Sequence, residues 1–204
     1  MSNLIRNNAI VADEWTRVSP PTLGEEQVRK QAGKVVLFKL TGEESYSAEQ
    51  IAQTDIPAQG KILLPLAVWL ARRHEANNAL EQRLEKGELG IIVATHESLE
   101  KLVESVGDIN RLPIIAIFVE RFADGRIFSL GNLLRTRYGY RHELRAIGDV
   151  LRDQLFFLKR CGFDSYLIRA DRSAQEALSG LQDFQQPYQA AVDIPQPAWR
   201  RIPR

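Results

Sequence analysis

Apolar and polar positions follow two rhythms along the chain. From residue 89 onward, short apolar runs alternate with stretches at helical spacing. The runs predict strands over 89–94, 112–119, 143–147 and 165–169. The stretches between and after them predict helices over 98–106, 128–138, 151–161 and 173–184. In the first of these helices Leu99, Leu102, Val103 and Val106 share a face. Ser173 is placed to cap the last one, and Ser129 or Asp124 to cap the second. The strands read as apolar throughout, which argues for buried βα units. The expected fold is α/β: a mainly parallel sheet built from successive βα units, with helices covering the sheet and a short N-terminal β segment.

The first half is less regular. Residues 1–18 suggest one or two short strands, with Asn7-Asn8 as the turn. Ser19-Pro20-Pro21 ends that unit, because consecutive prolines fix φ and remove donors. A strand is expected over 35–40, then a polar connection over 41–60 with a helical turn at 48–52. A short apolar run at 61–64 leads into Pro65, the expected first turn of one helix running to Gly87. The domain expectation is a single α/β domain over 1–193 and an irregular proline- and arginine-bearing tail over 194–204.

Composition narrows the function classes. With 44% hydrophobic and 26% charged residues the chain reads as an ordinary globular protein, and its net charge of +1 gives no electrostatic case for nucleic acid or an anionic membrane. The longest apolar run, over 62–71, is too short for a membrane span. The N-terminus lacks a signal-peptide pattern, so a cytoplasmic location is expected. The lone Cys161 excludes an internal disulfide and a thiolate-rich metal centre, and reads as unreactive at a helix C-terminus. His74, His96 and His142 lack metal-ligand spacing, so no metal is expected. No nucleotide, flavin, haem or iron–sulfur motif is present, and the cofactor stays unknown. Trp15, Trp69 and Trp199 read as core or tail aromatics.

Candidate chemistry gathers at three predicted strand ends, where ligands bind in parallel sheets. Glu120 to Arg126 follows the second regular strand, Gly148-Asp149 the third, and Arg169 to Arg172 the fourth. The candidate ligand-binding residues are Asp124, Gly125, Arg126, Ser129, Arg145, Asp149, Arg152 and Asp153. Carboxylates beside guanidiniums suit a lattice that holds a small oxyanion or phosphorylated ligand, and equally suit one that only braces loops. Asp-Gly at 124–125 can be a plain tight turn, and Asp149 a plain helix cap. No strong nucleophile or general base stands out, and catalytic residues stay unknown.

Several separated blocks agree, in order, with a known family. These are D-G-R-I-F-S at 124–129, L-L-R at 133–135 followed by R-Y-G-Y, the block 143–155, and R-C-G-F-D at 160–164. Together with 64–67 and Tyr188-Gln189 they resemble the bacterial domain-of-unknown-function family nine-three-four over about residues 60–190. The chain departs at Ile127, where the family often carries glycine, and at Gly131-Asn132, where Ala-Arg is usual. The resemblance implies genes lying beside those for assimilatory sulfite reductase and for adenylylsulfate or phosphoadenylylsulfate reductase. It also implies the label of a probable oxidoreductase of sulfite reduction, an association and not a mechanism.

The expected function is a protein serving assimilatory sulfate or sulfite reduction, with an oxyanion-binding crevice at the strand ends. The alternatives are a non-catalytic partner of sulfite reductase or its electron donor, and a lyase- or aldolase-like enzyme on a partial barrel.

Overall fold

The computed structural model describes residues 2–22, 39–75 and 78–201. Their contacts group into two compact units: residues 1–14 with 114–204, and residues 15–113. The expected strand over 35–40 lies outside the described residues except for Lys39 and Leu40, which are not in a strand.

The chain opens with a hairpin of β1 (Leu4–Arg6) and β2 (Ala9–Val11). Asn7 and Asn8 both take positive φ, 49° and 62°, as a two-residue primed turn requires.

In the second unit β3 (Thr16–Arg17), β4 (Ile62–Pro65) and β5 (Leu89–Ala94) pair in parallel. The helical turn at 48–52 is α1 (Ala48–Ala52), closed by a reciprocal Ser47–Gln50 capping box. The single helix expected from Pro65 to Gly87 is instead two: α2 (Leu66–Arg72) and α3 (Ala79–Glu85). Asn78 enters α3 at φ 48°, a left-handed conformation that an uninterrupted helix does not contain. Ser98 caps α4 (Leu99–Val106), its hydroxyl accepting from the Lys101 N–H.

The first unit continues with β6 (Ile114–Val119), α5 (Arg126–Thr136), β7 (Glu143–Gly148), α6 (Arg152–Arg160), β8 (Ser165–Leu167) and α7 (Ala174–Leu178). The closing helix expected over 173–184 stops early. A 3₁₀ turn over Ser179–Gln182 follows α7, and α8 (Ala198–Arg201) lies within the segment expected to be an irregular tail.

β6, β7 and β8 are parallel, but β1 pairs antiparallel with β8 and with β2. The sheet is therefore mixed, which corrects the expectation of a mainly parallel one. The reason is the N-terminal hairpin: β1 occupies the free edge of β8, and a hairpin lends strands of both directions.

Nor are the strands apolar throughout. Ile117, Ala146, Tyr166 and Ile5 form one cross-strand row of buried residues. The next row runs Ala116, Arg145, Ser165, Arg6. In β7, Glu143 and Arg145 share one face while Leu144 and Ala146 share the other, so the strand alternates.

Candidate functional site

The carboxyl ends of β6, β7 and β8 are tied together by one side chain. Gly148 ends β7 at φ 102°, and a Cβ there would stand 2.1 Å from the Val119 carbonyl oxygen. Only glycine permits that approach. The turn is closed by the Asp149 N–H donating to Val119 O at 2.8 Å. Asp149 then reaches both neighbouring loops. Its Oδ2 accepts from the Phe122 N–H at 2.9 Å, and its Oδ1 from Arg169 Nη1 at 2.7 Å. The buried Gln154 reinforces the first link by donating to Phe122 O at 3.1 Å.

Arg169 is shared. Its Nε and Nη2 donate to the two carboxylate oxygens of Asp171 at 2.6 and 3.0 Å. These bonds hold the Asp171 carboxyl below the usual carboxylate range, and those to Asp171 and Asp149 push the guanidinium pKa upward. At the first residue of α5, Arg126 grips Asp124 of the loop after β6 with two donors, Nε to Oδ1 at 2.9 Å and Nη2 to Oδ2 at 2.8 Å. Asp124 is buried, while about a third of the Arg126 side chain is exposed, 31%. Asp124 also accepts from the Arg126 N–H at 3.1 Å, so it does the work of a cap although Gly125 holds the N-cap position. Gly125 itself has an ordinary φ of −68° and open space where a Cβ would go.

Other candidates turn elsewhere. Arg145, only 2% exposed, lies in the body of the sheet. Its Nε and Nη2 meet Glu143 Oε1 at 2.9 and 2.8 Å, and its Nη1 meets Asp13 Oδ1 at 2.9 Å. Arg6 approaches the other Glu143 oxygen at 3.4 Å. Arg152 pairs with Asp183 at 2.7 Å and with the Ser179 hydroxyl at 3.3 Å. Ser129 and Asp153 are exposed and make no side-chain hydrogen bond among the described residues. The site thus brings together Asp149 and the loop carrying Asp124, Gly125 and Arg126. It adds Arg169, a loop residue outside the candidate set, through Asp149.

Several residues of the separated sequence blocks act as clamps. Arg135 spends its guanidinium on the carbonyls of Gly162, Tyr140 and His142 and on Asp164, all within 2.9 Å. Gly162, at φ 98°, is required because a Cβ would meet Arg135 Cγ at 2.4 Å. Arg160 is buried and pairs with Asp193 at 2.8 Å. Burial pushes the adjacent Cys161 thiol up against the pull of Arg160, so it is a poor nucleophile at neutral pH.

The second unit holds one cluster that spacing did not reveal. The Ser45 hydroxyl lies 3.1 Å from His96 Nε2 and 2.6 Å from Glu97 Oε1, just past the end of β5. A serine beside an imidazole resembles a nucleophile–base pair, but the carboxylate holds the hydroxyl as well. With Glu97 Oε2 on the Ala94 N–H at 2.7 Å, and the Gly42 N–H on His96 O at 2.8 Å, the cluster fastens the 42–46 loop to the turn after β5.

The arginines arrive already paired, and Asp149 and Asp171 balance Arg169 and Arg172 in formal charge. Among the described residues no group of three or more His, Cys, Asp or Glu is placed to hold a metal ion, and no helix is long and apolar enough to cross a membrane.

Fold and site define an α/β protein whose parallel strand ends carry a carboxylate-bridged, arginine-bearing loop cluster. No curated protein and no solved structure matches the chain. A family model matches residues 90–199, and the chain belongs to that family, described as a bacterial protein of unknown function (DUF934).

Proposed function

We propose that the loops after β6, β7 and β8 bind a small oxyanion by exchange, the anion taking the place of a carboxylate on Arg126 or Arg169. The observation that carries this reading is the pair of hydrogen bonds that Asp149 accepts, which draws the Phe122 loop and Arg169 to the same strand ends. Guanidiniums prefer planar, bidentate acceptors, and sulfite, sulfate and phosphate offer the geometry that Asp124 and Asp171 now supply. Exchange limits the affinity, because each incoming anion displaces an internal partner. Service in assimilatory sulfate or sulfite reduction rests on the gene association that the family resemblance implies. Calorimetric titration with sulfite, sulfate and phosphate tests the reading. Wild type binds at least one of them, and Arg126→Ala and Arg169→Ala bind it more weakly. Equal heats from all three proteins, or none from any, remove the idea.

A second reading is an accessory partner of sulfite reductase or its electron donor. It is favoured by the exposed Tyr188 and Trp199, whose rings lie 5.1 Å apart in the C-terminal segment. Co-purification with the sulfur enzymes by the full chain, lost on removal of residues 194–204, supports it. Failure of both forms to co-purify ends it.

A further inference from the structure

A cavity in the first unit, of about 260 Å³, lies between α6, the 3₁₀ turn and the segment that follows it. Its lining includes four apolar residues, the buried Phe156 and Leu181 with Pro187 and Ile194. One lining residue, Asp193, is tied down from behind. The buried Arg160 guanidinium pairs with Asp193 and also donates to Gln189 O, while the Val192 N–H donates to Arg160 O at 3.1 Å. The Asp193 side of the cavity is thus held by α6 and not by a ligand.

Two features point to an occupant. Aromatic surface adjoins the cavity: the Phe184 ring lies 4.9 Å from the Phe156 ring, and the Phe157 ring 5.4 Å from it. Phe184 and Phe157 stay 61% and 55% exposed. Clustered half-exposed rings of this kind mark contact surfaces. The polar rim is unspent as well. The Lys159 ammonium has no hydrogen bond or ion pair among the described residues, and the same holds for the Gln182 and Gln185 amides, whereas Asp193 is neutralised by Arg160. The available charge at the rim is positive.

The volume decides what kind of body fits. Sites for drug-sized ligands and cofactors run from about 300 to 1,000 Å³. A cavity below that range takes a single large side chain, the usual anchor of a protein–protein contact. We propose that this cavity is a docking socket for a partner protein's peptide segment in which an aromatic anchor is followed by an acidic residue. The aromatic ring enters against Phe156 and Phe184, the carboxylate meets Lys159, and the two glutamine amides face the peptide backbone. None of the oxyanion-site residues lines the cavity, and the socket, which rests on the accessory reading, gives the chemistry of the segment that would be bound.

The test is an amide-resolved NMR titration of the full chain with acetyl-Trp-Glu-amide, and with acetyl-Trp-Gln-amide and acetyl-Ala-Glu-amide as comparison probes. The first probe is expected to give saturable shifts confined to residues 156–160 and 181–194, and the alanine probe none. Lys159→Gln weakens the Glu probe about fivefold, the scale of one partly exposed ion pair, and leaves the Gln probe unchanged. Phe184→Ala weakens both tryptophan probes, and Arg126→Ala weakens neither. Shifts that fail to saturate, or a Lys159→Gln variant that treats the Glu and Gln probes alike, overturn the proposal.

Discussion

Arg145 is the most deeply buried charge among the described residues of the first unit, and its neighbours explain how the sheet tolerates it. Glu143 and Asp13 satisfy all three of its nitrogens. Removing one partner of such a pair strands the other, at a cost of about 3–5 kcal/mol. Arg145→Met should lose stability on that scale in urea unfolding, because Glu143 then keeps only Arg6 at 3.4 Å. A loss under about 1 kcal/mol would mean that the network is solvated.

Glu97 couples stability to pH. Burial raises its pKa above the usual carboxylate value, against bonds from Ser45 and Ala94 that lower it. The folded state thus holds its proton more tightly than the unfolded chain does. The resulting stabilisation is complete below the ordinary carboxylate value and is lost as pH rises through the raised folded value. Thermal midpoints of wild type and Glu97→Gln compared across that range should show wild type losing ground as pH rises. Parallel profiles would contradict the assignment.

At the scale of elements, local chemistry made much of the chain legible. Asn7-Asn8 at a hairpin, Ser98 and Ser173 before apolar-faced helices, and Pro65 between strand and helix each act through neighbours a few residues away. The break between α2 and α3 was not legible, since the leucine spacing on either side suits one helix as well as two. The departure at Gly131 acquires a physical meaning. A Cβ there would lie 2.3 Å from the buried Phe163 ring, so the ring occupies the room that alanine would need. Gly131→Ala is therefore expected to destabilise by about 1–3 kcal/mol through overpacking, read as a lower urea midpoint. A neutral or stabilising result would show that Phe163 has room to turn. The blocks around Arg135, Arg160 and Gly162 that carry the family likeness tie the ends of α5 and α6 to neighbouring loops and to the C-terminal segment.

At the scale of the whole molecule, the sequence located the loops but not the partners within them. Asp149 was readable as a capping or binding residue from its place after a strand. That it bonds Arg169 and the Phe122 N–H depends on which strands lie side by side, which no local pattern encodes. For the same reason Arg145 looked like a neighbour of Asp149. The alternation of β7 turns it to the face of Glu143, and its other partner, Asp13, lies far away along the chain.

In the proposed exchange an oxyanion displaces a carboxylate from an arginine already in place. Asp124→Asn removes the competing charge while leaving Arg126 at the strand end. Sulfite or sulfate titrated into this variant should bind more tightly than to wild type, with the gain abolished by Arg126→Ala in the same background. Affinity unchanged or weakened in Asp124→Asn would contradict exchange and leave the Asp124–Arg126 pair as a brace for the loop alone.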